Sequence, residues 1–491
     1  MCASNNERIN IILIVSDTFR NDLISGGFAV KGDVKARLPN LTRISESSVK
    51  FTRHYTASFP TVPNRHDLFT GRYTFIYADW APLPQNEITL PQMLKKVGYT
   101  SALIADTPHI LKDGYNFDRG FDAWEWIRGQ ENDRYRTDPQ ELDLPCKPEK
   151  LRNAETTKQH MRNNFLRQFE EDWIPAKTAK AATNWLEKNY GGPFFLYADF
   201  FDPHEPWDPP REFVDKYDPG YVGEEVIYPA YGPSDYLTEG ELTHCRAMYA
   251  AEATLVDKWI GRIVEKVEDL GLWENTALIF TSDHGFYLGE HGLIGKSIIM
   301  GDVQGSAPLY EEVAHIPLLL RLPEKIRPKT LTVSELTQPQ DVTATVLDLA
   351  GSDQKTEGSS LMSLIEGRAE SWRNFVISTP SLVHGAAGGV RPTVTSKEWS
   401  LILSSTEVYL KKEEYTMMVD GNPRLLKPFG KVDTELYDLR SDPFQQINVI
   451  DKEQEVARRL KEEFISKLKS LGAKDEVVRP WLKCKRLERP D

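Results

Sequence analysis

Three near-continuous apolar runs limit what this chain can fold into: residues 9–16 (INIILIVS), Phe194–Phe200 (FFLYADF) and residues 277–282 (ALIFTS). A strand with apolar side chains on both faces must be covered on both faces, which marks a central strand of a parallel α/β sheet. Each run carries an aspartate at its carboxyl end: Asp17, Asp199 and Asp283. Ligands of open α/β sheets collect beyond those ends, so the three carboxylates, far apart in sequence, are expected to converge on one site.

Further strands are predicted at Thr100–Ala105 and over residues 316–320. Helical spacing covers residues 89–97, 176–190, 239–270 and 341–350, the last closed by Gly351. Helices alternating with buried strands give an α/β fold, a doubly wound mixed sheet. After about residue 370 the pattern changes to short alternating strands (residues 399–403 and 408–411), a strand over residues 435–439 and a final helix over residues 452–471. The expected organisation is a catalytic α/β domain (1–370) followed by a small C-terminal α+β domain (371–491). Residues 132–158 are polar and aperiodic and read as an insertion loop, either near the site or on the surface.

The net charge of −13 over 491 residues argues against nucleic acid as a partner, because a polyanion needs a basic footprint. It leaves room for a small anionic ester substrate, since a metal and a few cations can invert the local field. The first residues lack a basic and then an apolar region, so no secretory signal is expected. No apolar run reaches the roughly eighteen residues of a membrane span, so no membrane partner is expected. Cys2, Cys146, Cys245 and Cys484 lack metal-type spacing and read as free thiols of a cytoplasmic protein. A homo-oligomer would suit the C-terminal region.

Two segments carry chemistry. The first is Thr61-Val62-Pro63-Asn64-Arg65, followed by Leu68, Thr70, Gly71 and Arg72: a hydroxyl placed before an arginine with a proline restricting the backbone between them. The second is Asp283-His284-Gly285, then Leu288-Gly289-Glu290-His291-Gly292 and Lys296. An Asp-His pair offers oxygen and nitrogen to a divalent metal, and the glycines allow turns sharp enough to return His291 and Lys296 to the same place. Taken alone, the second segment also reads as a histidine-rich surface turn.

Together these segments resemble the sulfatase family of the alkaline phosphatase superfamily. The motifs follow the family's order across residues 9–350, and residues 435–443 resemble its C-terminal E-L-Y-D-L-x-x-D-P. The resemblance implies one divalent metal held by Asp17, Thr61, Asp283 and His284. It implies that Arg65 and Lys296 hold the non-bridging oxygens of the substrate, and that His204, in an H-x-P element, or His291 assists the leaving group. Thr107 and His109 would contact the substrate oxyanion. A second metal on Asp199 or Asp202 with His204 and His291 is the alternative, disfavoured because Lys296 stands where one-metal members use a lysine.

This chain departs from the family at three positions. Thr61 replaces the Cys or Ser that is converted to formylglycine, Thr18 replaces a second aspartate, and His284 replaces a common asparagine. Imidazole suits Mn²⁺ or Zn²⁺ better than Ca²⁺ or Mg²⁺, and the pattern resembles the phosphonate monoester hydrolase and phosphodiesterase branch. A formylglycine hydrate can expel its adduct through a second hydroxyl, which threonine lacks. A Thr61 adduct must be released by attack at the central atom, so phosphodiester, phosphonate or phosphomonoester substrates rank ahead of sulfate esters. The other readings are a sulfatase working without formylglycine, a phosphotransferase or mutase, an inactive anion-binding homologue, and a structural oligomer component. Trp80, Trp124, Trp126 and Trp207 are candidates for an aromatic or sugar pocket, with core packing as the ordinary alternative.

Overall fold

A computed structural model of the protein describes residues 8–408, 414–419, 422–427 and 432–487. In chain order the elements that shape the site begin with β1 (Asn10–Ser16), β2 (Val49–Phe51), β3 (Ser58–Phe59), α1 (Thr61–Thr70), β4 (Thr100–Ala105), α2 (Pro108–Leu111) and β5 (Ala123–Trp126). They continue with α3 (Ile174–Asn189), β6 (Phe194–Phe200), α4 (Glu239–Asp269), β7 (Thr276–Thr281), β8 (Leu293–Met300), β9 (Leu318–Arg321) and β10 (Thr332–Val333). The last are α5 (Pro339–Leu349), β11 (Phe375–Pro380), β12 (Thr393–Ser396), β13 (Trp399–Ile402), β14 (Glu435–Asp438) and α6 (Gln454–Ser470).

The large sheet has eight strands in the order β10-β2-β9-β7-β1-β6-β4-β5. Strands β7, β1, β6, β4 and β5 run parallel, and β9 is antiparallel to both of its neighbours. The apolar runs are continuous because two cores flank the sheet. From β1, Ile12 and Ile14 enter one core with Ala179 and Leu186 of α3 and Leu255 and Ile260 of α4. Ile11, Leu13 and Val15 enter the other with Leu68 of α1 and Val342 and Val346 of α5. The α/β expectation and its mixed sheet are what the structure shows. Among the described residues no helix is long and apolar enough to cross a membrane.

Two expectations change. The strand predicted over residues 316–320 is broken at Pro317, which has no N–H to give to a ladder. His315–Ile316 pairs with His54–Tyr55, and β9 starts afresh against β7. Within residues 132–158 a helix, Ala154–Asn164, begins at the Asn153 cap, whose side chain accepts from Thr156 N–H at 2.9 Å. Its sequence, AETTKQHMRNN, is too polar to show an apolar stripe. The strand expected over residues 408–411 lies, apart from Val408, outside the described residues.

The small sheet has the order β14-β13-β12-β11-β3. It is therefore not built from the C-terminal region alone: β3, immediately upstream of Thr61, pairs in parallel with β11 through Ser58↔Thr379 and Phe59↔Pro380. Helix α6 covers this sheet with Leu460, Phe464 and Leu468, which share a core with Leu401, Leu403 and Trp481. Phe464 is fully buried and meets Trp481 edge-on at 6.1 Å. Phe464→Ala is predicted to lower stability by about 3–5 kcal/mol in denaturant unfolding. A loss below about 1 kcal/mol would show that α6 does not hold this core.

Candidate active site

Strand register brings the carboxylates together. Val15 of β1 sits opposite Thr281 of β7 and opposite Asp199 of β6, so Asp17 and Asp283 leave neighbouring strands at the same level, just beyond Asp199. Thr61 is the first residue of α1 and is fully buried. Pro63 lies in the first turn, where a missing N–H costs nothing. Asn64 Nδ2 donates to Thr56 Oγ1 at 3.0 Å and to the Asp283 carbonyl at 3.1 Å, fastening the start of the helix to the end of β7. Asp67 accepts from Ser58 N–H at 2.8 Å and Thr74 N–H at 3.0 Å, which ties the same helix to β3.

Arg65 is wholly buried among three wholly buried carboxylates. Its Nε and Nη2 grip Asp199 at 3.0 and 2.8 Å. Its Nη1 reaches Asp17 Oδ2 at 2.9 Å and also Asp283 Oδ2. Arg65, expected to hold substrate oxygens, is hydrogen-bonded in the structure to all three carboxylates. Thr107 Oγ1 donates to Asp199 Oδ1 at 2.5 Å, so it too faces the carboxylate rather than open space.

Asp17, Asp283 and His284 offer ligand atoms that all lie within 4.8 Å of one another. Their residue types fit a divalent cation. Asp17 Oδ1 and Thr18 Oγ1 are buried without hydrogen-bond partners. Thr18 is held at φ 55, a strained conformation for a β-branched residue, with its N–H on Asp283 Oδ1 at 3.0 Å. His284 Nδ1–H donates to the Gly285 carbonyl at 3.0 Å, which leaves Nε2 as a lone-pair donor. Gly285 itself is required: a Cβ there would lie 1.9 Å from the Glu312 carbonyl oxygen. Thr61 Oγ1 lies 3.4 Å from His284 Nε2, at the edge of the same cluster.

The electrostatics agree. Burial drives His284 down to about 3, so its imidazole is neutral. Burial and the Asp283 charge push Asp17 well above the carboxylate range. Asp283, despite burial, is held below that range by the lasting positive charges beside it, Arg65 and Lys296. Two carboxylates competing for one guanidinium edge are short of positive charge, and a divalent cation would supply it. Among the described residues this is the one cluster with metal-ligand geometry. Asp202, raised as part of a second metal site, is instead occupied by Gln130 Nε2 at 2.9 Å.

Lys296 enters from β8. Its Nζ lies 2.8 Å from His204 Nε2 and 3.2 Å from His284 Nε2. Burial lowers its affinity for a proton. Gly295, at φ 100, lets the strand press against Tyr231, where a Cβ would come within 2.4 Å of the ring. His204 Nδ1–H donates to the Glu205 carbonyl at 2.6 Å, so Nε2 is the acceptor that faces Lys296. Burial and then Lys296 keep His204 neutral.

The remaining expected residues divide. His109 pairs with Glu131 at 2.9 Å. His291 stands apart from the cluster: its ring stacks on Tyr310 at 3.8 Å and its Nε2 faces Glu312 at 3.3 Å. Of the two histidines proposed for the leaving group, only His204 touches Lys296. Sequence reasoning missed Glu131, Arg152, Glu205 and Tyr231, which form a second polar shell. Arg152 Nη1 reaches Glu205 at 3.3 Å and Tyr231 Oη at 3.1 Å, and it lies 3.6 Å from Glu131. Glu205 was the one of these within reach, as the neighbour of His204 in sequence.

The sequence model of the Sulfatase family matches residues 9–352. The multifunctional alkaline phosphatase superfamily protein PehA of Trinickia caryophylli is 26% identical over 74% of this chain and 79% of its own length. An arylsulfatase of Clostridium perfringens is 24% identical over 75% of this chain and 80% of its own. The fold is shared with the phosphonate monoester hydrolase of Agrobacterium radiobacter at a TM-score of 0.68 and 20% identity, covering 95% of this chain and 96% of that one. The family match runs through Asp17, the Thr61–Arg65 segment, Asp283, His284 and Lys296, and the chain belongs to the sulfatase family, as a hydrolase acting on sulfuric or phosphoric esters.

Proposed function

We propose that the protein is a metal-dependent hydrolase of phosphodiester, phosphonate or phosphomonoester bonds that works through a covalent adduct on Thr61. The observation that carries this reading is Thr61 itself: an unmodified secondary alcohol, wholly buried, at the first position of α1 and 3.4 Å from His284 Nε2. The positive end of the helix favours the anion that ionisation of this hydroxyl creates.

A divalent cation held by Asp17, Asp283 and His284, with Mn²⁺ or Zn²⁺ favoured by the imidazole, supplies Lewis-acid polarisation of the Thr61 hydroxyl and of the ester when bound. The chain's own residues do the rest. Arg65 keeps the carboxylates in place. Lys296 balances the negative charge of the ester oxygens. Thr61 Oγ1 bonds to phosphorus as the bond to the leaving oxygen breaks, and the proton it releases makes good the one that Lys296 gives up. His204, hydrogen-bonded to Lys296, passes a proton from that ammonium side to the departing alkoxide. Water then attacks phosphorus, the bond to Oγ1 breaks, and Thr61 regains a proton. Threonine has one oxygen on its Cβ, so no carbon–oxygen cleavage can free the adduct. Attack at the central atom suits phosphorus better than sulfur.

Thr61→Ala is predicted to cut turnover of nitrophenyl phosphodiesters by at least about a thousandfold while the far-UV spectrum stays unchanged; near-normal turnover would remove Thr61 from the mechanism. Asp283→Ala should lose bound metal by elemental analysis, and full occupancy in that variant would contradict the ligand set. A panel of nitrophenyl phosphate, phosphodiester, phosphonate and sulfate esters, assayed with Mn²⁺, Zn²⁺ and Ca²⁺, tests the substrate class. Preference for the sulfate ester would overturn the phosphorus reading and leave a sulfatase that works without formylglycine.

A further inference from the structure

A cavity of about 230 Å³ lies where four separate pieces of chain meet, and it shares no residue with the cluster around Thr61. Tyr73, just beyond α1, forms part of its wall, as does Gln338 at the cap of α5. The residues that lead into and begin β11 supply Trp372, Arg373 and Phe375, and α6 supplies Glu463 and Lys467. Tyr73, Trp372 and Phe375 offer ring faces, and Val376 and Ile377 make the wall behind them apolar. An apolar cavity of about 150 Å³ is enough for benzene, so this one has room for a ring and one further small group.

The two cations of the wall differ in how their charges are met. Arg373 Nη2 is bonded to Asp341, whose carboxylate also accepts from Gln338 N–H at 2.8 Å and Ser359 N–H at 2.9 Å. The Lys467 ammonium has no ion-pair partner among the described residues; its Nζ sits over the Tyr73 ring, 4.9 Å from the centroid. Burial, and after it the Arg373 charge, loosens its hold on its proton, a strain that an anion at this wall would relieve. Lys467 can meet a single negative charge, and Glu463, one turn earlier on α6 and in the same wall, repels a second. Ring faces together with one ammonium describe an aryl monoanion as the occupant.

We propose that this cavity is a ligand site for a small aryl carboxylate, separate from the reaction at Thr61, with the carboxylate on Lys467 and the ring among Tyr73, Trp372 and Phe375. The occupant joins α6 to the end of α1 and the start of α5. Gln338, in the same wall, already spans that seam through the Thr56 and Ile377 carbonyls at 3.1 and 2.8 Å. A ligand held by pieces of chain that meet only in the folded protein raises Tm.

The test titrates the full chain with benzoate, acetate and benzyl alcohol by saturation-transfer NMR and follows Tm at matched ligand concentrations. Benzoate should bind and raise Tm. Acetate lacks the ring and benzyl alcohol lacks the charge, so each should bind at least about fivefold more weakly. Lys467→Gln should weaken benzoate about five- to tenfold and remove most of the Tm shift, whereas Lys467→Arg, which keeps the charge, should retain both. Lys467 is only half-buried and both replacements are long and polar, so both variants are expected to fold. Benzoate settling on the Thr61 cluster instead would be insensitive to Lys467→Gln. That insensitivity, a failure of benzoate to bind, or equal binding of benzyl alcohol or acetate overturns the proposal.

Discussion

One buried guanidinium organises the site. Arg65 draws on Asp17, Asp199 and Asp283, each from the end of a different strand among the adjacent β1, β6 and β7. Burying an ion costs several kcal/mol unless its charge and its hydrogen bonds are met. Here the three carboxylates meet the arginine, and the arginine in turn makes their shared burial tolerable. Neither side is stable alone, which fixes where three strands must end relative to one another. The bidentate grip on Asp199, reinforced by Thr107 Oγ1 at 2.5 Å, leaves the Nη1 edge for Asp17 and Asp283. The arginine therefore ties the three carboxylates to one another.

The same arrangement explains why this centre suits a cation and then an anion. Three carboxylates against Arg65 and Lys296 leave the pocket with an excess of negative charge. Burial, and after it the Asp283 charge, pushes Asp17 upward. Neutral His284 adds a nitrogen donor without adding charge. A divalent cation bound there would reverse the sign of the local field in a chain whose overall charge is −13. Lys296 stands between His204 and His284 and brings a second positive charge to the cluster.

Much of this was legible in the sequence because the relevant signals are local. Residues 9–16 read as a strand since both faces are covered, and their terminal aspartate is where an α/β sheet puts function. The Thr61–Arg65 segment and the Asp283-His284 pair could be named because spacing and residue type suffice. What spacing cannot give is the direction in which a side chain is engaged. Spacing placed Arg65 at the site but did not show that three carboxylates surround it. His291 looked like a site histidine because glycines surround it, but its φ of 54 turns it onto Tyr310. Glu131 and Arg152 were invisible because their ion pairs with His109 and Glu205 join residues far apart in sequence. The antiparallel β9 was hidden for a similar reason: an apolar strand carries no mark of its direction.

The place of Thr61 follows from two sheets at once. Upstream, β3 is hydrogen-bonded into the small sheet against β11. Downstream, α1 packs on α5, where Thr343 Oγ1 donates to the Leu68 carbonyl at 2.7 Å. Gln338 Nε2 spans the seam, donating to the Thr56 carbonyl at 3.1 Å and the Ile377 carbonyl at 2.8 Å. A hydroxyl 3.4 Å from His284 has little room for error, since near-attack geometry is lost with displacements of about 1 Å. The backbone of Thr61 is thus held from one side by a sheet made largely of C-terminal residues, and the neighbouring carboxylates are held from the other by the large sheet. The C-terminal region, which in sequence resembles an appendage, supplies half of the frame that sets Thr61 against Asp17 and Asp283.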